Sequence, residues 1–146
     1  MLYTAGNTFN TGDRVFLVEG EKDVDTLTSE DIGLYAASGP DGAGPGKWKK
    51  ADQEKLRGCN VYVIPDHDQV GRDYAVEVCN SLLDVANEVK LLDLSKVWPE
   101  IPEHGDVTDM MAEFFLFFFW LLSLVASVFL RLFFICATIR IVMSIK

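Results

Sequence analysis

No acidic side chain occurs beyond Glu113 in this chain of 146 residues, although 22 Asp and Glu precede it. Basic residues are scarce throughout: there are 13 Lys and Arg, of which only Arg131, Arg140 and Lys146 follow Glu113. The formal net charge is −9, and the whole negative excess sits in the first 113 residues. So few cations exclude nucleic-acid binding through a broad basic face, because phosphate contacts need clustered Lys and Arg. Phosphate chemistry on this chain would therefore call for a bridging cation. Cysteine is rare as well. Cys59, Cys79 and Cys136 are far apart and show no C-x-x-C spacing, which leaves neither a zinc knuckle nor a disulfide framework to read and makes a reducing compartment the default. No basic region and apolar core follow Met1 in the manner of a signal peptide, so a cytoplasmic location is expected. No internal repeat or low-complexity run is found before residue 113.

What is present divides into two unlike parts, with boundaries expected at 12–113 and 114–146. Eight of the ten Phe fall after Glu113, and the run from Phe114 to Ile139 holds one charge, Arg131. As a helix that run would be roughly 39 Å long at 1.5 Å per residue, more than the ~30 Å hydrocarbon core of a bilayer. Two readings of this apolar helical tail stand. It is a transmembrane helix, in which case Arg131, Arg140 and Lys146 favour a cytoplasmic C-terminus and place the acidic body outside. Alternatively it is foreign to the body, as an out-of-frame coding end would be, which suits the abrupt change in composition.

The acidic body alternates short apolar runs with helical patterns. Val15-Phe16-Leu17-Val18 reads as a buried strand, followed by Glu19-Gly20 and a helical stretch with Val24 and Leu27 on one side. Gly33 to Ala37 reads as a second strand, Ser38 to Gly46 as a loop rich in Gly and Pro, and Trp48 to Leu56 as a helix stopped by Arg57-Gly58. Val61 to Ile64 makes a third strand ending at Pro65. Val70, Tyr74, Val78 and Leu82 then recur every four positions, with Ala75 and Cys79 beside them, as in an amphipathic helix packed on a sheet. Val89 to Leu94 supplies a fourth strand. Strand-helix alternation with continuous apolar strands predicts an α/β fold with a roughly four-stranded parallel sheet covered on both faces.

In such a sheet ligands sit beyond the carboxyl ends of the strands, and acidic groups follow three of them. Asp66 and Asp68 follow the third strand, and two carboxylates one residue apart in a turn can hold a hard divalent cation through oxygen. An acidic turn or a helix N-cap accounts for the same residues. A calcium loop counted from Asp66 matches Asp68, Gly71 and Glu77 but places Val70 at a ligand position and an extended run where a helix is required. Glu19 follows the first strand, where Gly20 would let the chain turn sharply and present the carboxylate; a helix-start carboxylate is the plainer account. His104-Gly105-Asp106-Val107-Thr108-Asp109 follows the fourth strand, with Asp106 a candidate N-cap. Lys47, Lys49 and Lys50 form the main local positive cluster, suited either to nucleotide phosphates or to an exposed helix start. Gly42 to Trp48 is no Walker A motif, since Asp41 stands where the first Gly belongs and Trp48 where Ser or Thr should follow Lys47.

Taken together and in order, Val15 to Gly20 with Asp23, the loop Gly42-Ala43-Gly44-Pro45-Gly46-Lys47-Trp48, Leu56 to Arg72 with its Asp66-His67-Asp68, and Gly105-Asp106-Val107-Thr108-Asp109 resemble a toprim domain of the kind found in phage, plasmid and bacterial DNA primases and primase-helicases. The resemblance covers about residues 12–112. It implies a toprim, Rossmann-like fold and Mg²⁺-dependent phosphoryl transfer on nucleic acid, with Mn²⁺ as a substitute ion. Glu19, Asp66 and Asp68 would be the catalytic and metal-binding carboxylates and Asp106 a further ligand, with Asp23 and Asp109 as supporting acidic positions and Lys47, Lys49, Lys50 and Arg72 as contacts to nucleotide or nucleic acid. Glu19 as general base and Glu19 as metal ligand both fit. The implied partners are a single-stranded DNA template, nucleoside triphosphates, and a replicative helicase or the remaining primase domains, with a membrane added if the tail inserts. Primer synthesis leads, a toprim nuclease is the enzymatic alternative, and a truncated module that only binds metal or a partner is the non-catalytic one. A phosphorylatable receiver domain also gathers carboxylates at strand ends but needs a Lys after a fifth strand.

Overall fold

The structure, a computed structural model, describes residues 1–40 and 42–143, with side chains as far as residue 126. It divides into two compact units, Met1–Met110 and Met111–Lys146. Residues 1–11 belong to the first unit: Leu2 is buried, its N–H donates to Asp52 Oδ1 at 2.7 Å, and Tyr3 bridges to Ser38.

The first unit is built on strands β1 (Arg14–Val18), β2 (Tyr35–Ser38), β3 (Asn60–Val63) and β4 (Glu88–Leu91). All pair in parallel, in the order β2-β1-β3-β4. Helix α1 (Glu21–Thr28) joins β1 to β2, α2 (Lys50–Gln53) runs into a 3₁₀ turn over Glu54–Leu56 before β3, and α3 (Gln69–Leu82) joins β3 to β4. The expected α/β architecture is therefore present: a four-stranded parallel sheet flanked by helices. The helix expected from Trp48 to Leu56 begins later, because Trp48 is drawn into the core.

Strand pleating sends alternate side chains to opposite faces, and the two faces differ. Val15, Leu17, Ala37, Val61 and Val63 pack with Tyr74, Ala75, Val78 and Leu82 of α3 into one core. Burying each Leu or Val there contributes about 1.5–3 kcal/mol of transfer free energy. On the other face Val24 and Leu27 of α1 are fully buried, yet Phe16 and Tyr62 remain half-buried, stacked with ring centroids 5.4 Å apart. Full cover of both faces, expected from continuous apolar strands, is thus achieved on one face only. β4 is an exposed edge strand that ends at Leu91, short of the expected Leu94. Val70, expected on the buried stripe of α3, is instead 56% exposed, and Gly71 faces inward in its place.

The second unit is a helical run. Helix α4 (Val107–Met143, 37 residues) accounts for its described residues. The large apolar side chains from Phe114 to Val125 are all exposed, and Val107–Ala126 is long and apolar enough to cross a membrane. Arg131 and Arg140, which bear on orientation, lie beyond the described side chains, and Lys146 beyond the described residues.

Candidate functional site

Because β1 and β3 are hydrogen-bonded neighbours, the residues that follow them leave the sheet side by side. The backbone carries this adjacency past the ladder, with Ile64 N–H donating to Leu17 O at 2.8 Å. The Asp66 N–H then donates to Glu19 Oε1 at 3.0 Å. The acidic elements that follow the first and third strands, 47 residues apart, are therefore in direct contact.

Gly71 makes this contact sterically achievable. It sits in the first turn of α3, and a Cβ there would run into Glu19 Oε1 and come within 3.0 Å of Asp66 O. Gly20 works in a related way: the chain bends at Glu19–Gly20 as expected, but without a backbone conformation that only glycine can take. Its φ of −105° is open to any residue, but a Cβ would stand 3.2 Å from Asp23 Oδ2. Alanine normally stabilises a helix interior over glycine by about 0.5–1 kcal/mol. Gly71→Ala is expected to do the reverse, lowering stability by roughly 1–3 kcal/mol through overpacking and prising Glu19 from the Asp66 N–H. Denaturant melts would read this, and a more stable Ala variant would show that the approach is relieved elsewhere.

Asp68 faces a different set of partners. It is the N-cap of α3, accepting the Gly71 N–H at 2.7 Å, and its other oxygen meets His104 Nδ1 at 2.7 Å. The Gly71 N–H, followed by His104, holds the Asp68 carboxyl below its usual range, while Asp68 raises the His104 imidazole. His104 takes a left-handed backbone, φ +61°, which is uncommon outside glycine. The segment is tied to the turn by His67 N–H donating to Gly105 O and His104 N–H to His67 O, at 2.9 and 3.1 Å.

That tie brings Asp106 and Asp109 beside α1. Asp106 precedes α4 and caps it, its Oδ1 accepting the Asp109 N–H at 2.8 Å while Asp109 Oδ2 accepts the Asp106 N–H at 3.4 Å, a reciprocal capping box. Asp106 Oδ2 receives Lys22 Nζ at 2.5 Å. Asp23 is buried and accepts the Thr108 hydroxyl at 2.6 Å and its N–H at 3.3 Å. Thr26 and Thr108 share a hydroxyl contact of 2.9 Å.

Carboxylate charge is concentrated here. Burial raises Glu19, opposed by the Asp66 N–H and aided by Asp68 and Asp23. Burial also raises Asp23. Asp66 is pushed up to about 7, by burial first and then by Glu19, Asp23, Asp106 and Asp68. Among the described residues Asp66 forms no ion pair, although its charge reaches the His104 imidazole and helps to raise it. Among the described residues no three His, Cys, Asp or Glu side chains stand together as a metal cage. Mg²⁺ does not require one, since it is commonly held by one or two carboxylates with water and substrate phosphates completing its shell. Glu19 and Asp66, hard oxygen donors with no ion pair of their own among the described residues, fit that demand. Asp68 and Asp106 are already paired.

The basic candidates separate. Arg72 lines an open cleft of about 100 Å³ beside Asp66, with His67, Leu91 and Leu94. Lys47 and Lys49 are exposed on the connection between β2 and α2, and Lys50 is exposed at the start of α2; none of the three lines that cleft. Lys22, Thr108 and His104 escaped assignment from the sequence because each meets its partner across a long chain separation. Lys22 alone carried a local signal, a cation one residue before the acidic Asp23 at a helix start. Compared with protein-family models, curated proteins and solved structures, the chain matches none.

Proposed function

We propose that the first unit is a toprim-type domain, Rossmann-like in its sheet, that performs Mg²⁺-dependent phosphoryl transfer on nucleic acid as the catalytic part of a DNA primase. The observation that carries this reading is the hydrogen bond from the Asp66 N–H to the Glu19 carboxylate at the carboxyl ends of adjacent parallel strands, which keeps two half-buried carboxyl groups close enough to raise Asp66. Glu19 and Asp66 would hold the ion, Mg²⁺ or Mn²⁺. When bound, the ion supplies neutralisation of phosphate charge and alignment of a hydroxyl nucleophile. Glu19 fixes the turn by accepting the Asp66 N–H, and Asp68, capping α3 and paired with His104, holds the start of that helix beside the pair. Arg72 lies where it can meet a phosphate in the adjoining cleft. Lys47, Lys49 and Lys50 lie on another connection and suit a template strand better than the reacting phosphate. A replicative helicase or further primase domains would supply the rest of the machinery. A toprim nuclease would use the same pair, and product analysis separates the two. The apolar second unit supports membrane association but bears on none of this chemistry.

The test is calorimetric titration of the full chain in non-ionic detergent with MnCl₂ and MgCl₂. Binding that is lost in Asp66→Asn is expected. Absence of divalent-cation binding in the wild type would overturn the proposal and leave a folded acidic module.

A further inference from the structure

We propose that the Lys22 ammonium is the resident cation of the Asp23–Asp106 side of the site, so that the centre takes one divalent ion, at Glu19 and Asp66, and not two. The count of one ion rests on the function proposed above; the role of Lys22 has its own observations. Lys22 Nζ sits on Asp106 Oδ2 at 2.5 Å, across 84 residues of chain. The remaining Asp106 oxygen accepts the Asp109 N–H, and Asp23 Oδ1 accepts both donors of Thr108. A second divalent ion there would have to displace these donors and stand against a positive charge, whereas two-metal sites place their ions about 3.5–4 Å apart and share carboxylates between them.

The position of Lys22 in its own helix supports the assignment. It is the second residue of α1, where the helix dipole favours anions and repels cations. Its neighbours Glu21 and Asp23 follow that preference and Lys22 breaks it. A local rule broken and compensated only by a distant partner is characteristic of a functional position. The counter-ions then account for the rim. Asp68 has His104 and Asp106 has Lys22, while buried Asp23 has the Thr108 donors. Glu19 and Asp66 are left, two carboxylates for one doubly charged ion.

The experiment counts Mn²⁺ bound to the full chain in non-ionic detergent, by equilibrium titration with electron paramagnetic resonance of the free ion. The wild type is expected to bind one ion, Lys22→Met two, and Lys22→Arg, which keeps the charge, one. Lys22→Met combined with Asp106→Asn should return the count to one. Lys22 has a side chain 61% exposed, so its substitution should be tolerated, and circular dichroism checks this. Lys22→Gln, which keeps a donor for Asp106, should also gain an ion and keeps the count readable if the Met variant does not fold. Failure of both uncharged variants to gain an ion over the wild type overturns the inference, as does a wild type that already binds two. A wild type that binds none while Lys22→Met binds one would support the role of Lys22 and overturn the function proposed for Glu19 and Asp66.

Discussion

Glu19→Gln is expected to lower Mg²⁺-dependent nucleotide incorporation by about 10² or more, the usual loss when a general base or a metal-ordering carboxylate is removed. The substitution is selective because Gln is isosteric and its amide oxygen can still accept the Asp66 N–H, so the turn after β3 keeps its anchor. What disappears is the charge. Burial already raises the Glu19 carboxyl, so its ionised form costs the apo protein stability at neutral pH, and the variant should melt at the same temperature or higher without metal. Incorporation on a single-stranded template is to be measured with the chain alone and within a complete primase carrying this domain in place of its own. Unchanged incorporation in the second setting, with the fold intact, would leave Glu19 as a brace for the Asp66 backbone and remove it from the chemistry.

The parts of the molecule legible in the sequence are those governed by local physics. β1 and β3 announce themselves as short apolar runs, and α3 by residues recurring every four positions. A helix N-cap at Asp66 or Asp68 is among the readings that local sequence offers, and Asp68 fills it. Three kinds of feature were not legible. Val70 continues the arithmetic of the α3 stripe but lies at the end of the helix beyond the core, where period alone cannot say which turn is covered. Phe16 and Tyr62 read as fully buried strand residues because hydropathy does not reveal that α1 packs on the β1–β2 side and leaves their face half open. The third kind is pairing. Asp106 has the same local context whatever cation it meets, and only the fold that returns residues 104–109 to α1 brings the Lys22 ammonium onto it. The same return turns His104 toward Asp68. The acidic residues were found as a set, and their division into paired and unpaired members required the tertiary structure.

That division has a measurable consequence at Asp66. Its carboxyl is pushed up to about 7 in the folded chain, against about 3.9 when unfolded. Between those values the folded state holds a proton that the unfolded state has released, so the contribution of this carboxyl to stability is fully present below about pH 4 and is lost as pH rises through 7. Complete desolvation would make the fall about 4 kcal/mol, and solvent screening of a half-buried carboxyl reduces it to about 1–2 kcal/mol. Asp66→Asn has no proton to lose there. Without metal it is expected to match the wild type near pH 4 and to exceed it above pH 7, by some degrees in Tm. Divalent metal should invert the order at pH 8. A ligand that binds only the folded state at 100 times its Kd contributes about 2.7 kcal/mol, which the wild type gains and the Asn variant loses. Thermal melts of the full chain in non-ionic detergent, at pH 4 and 8, with and without MgCl₂, contain the whole test. Parallel curves for the two proteins across all four conditions would show that the Asp66 carboxyl is solvated like any surface acid, and that the charge concentrated between β1 and β3 is not coupled to the fold.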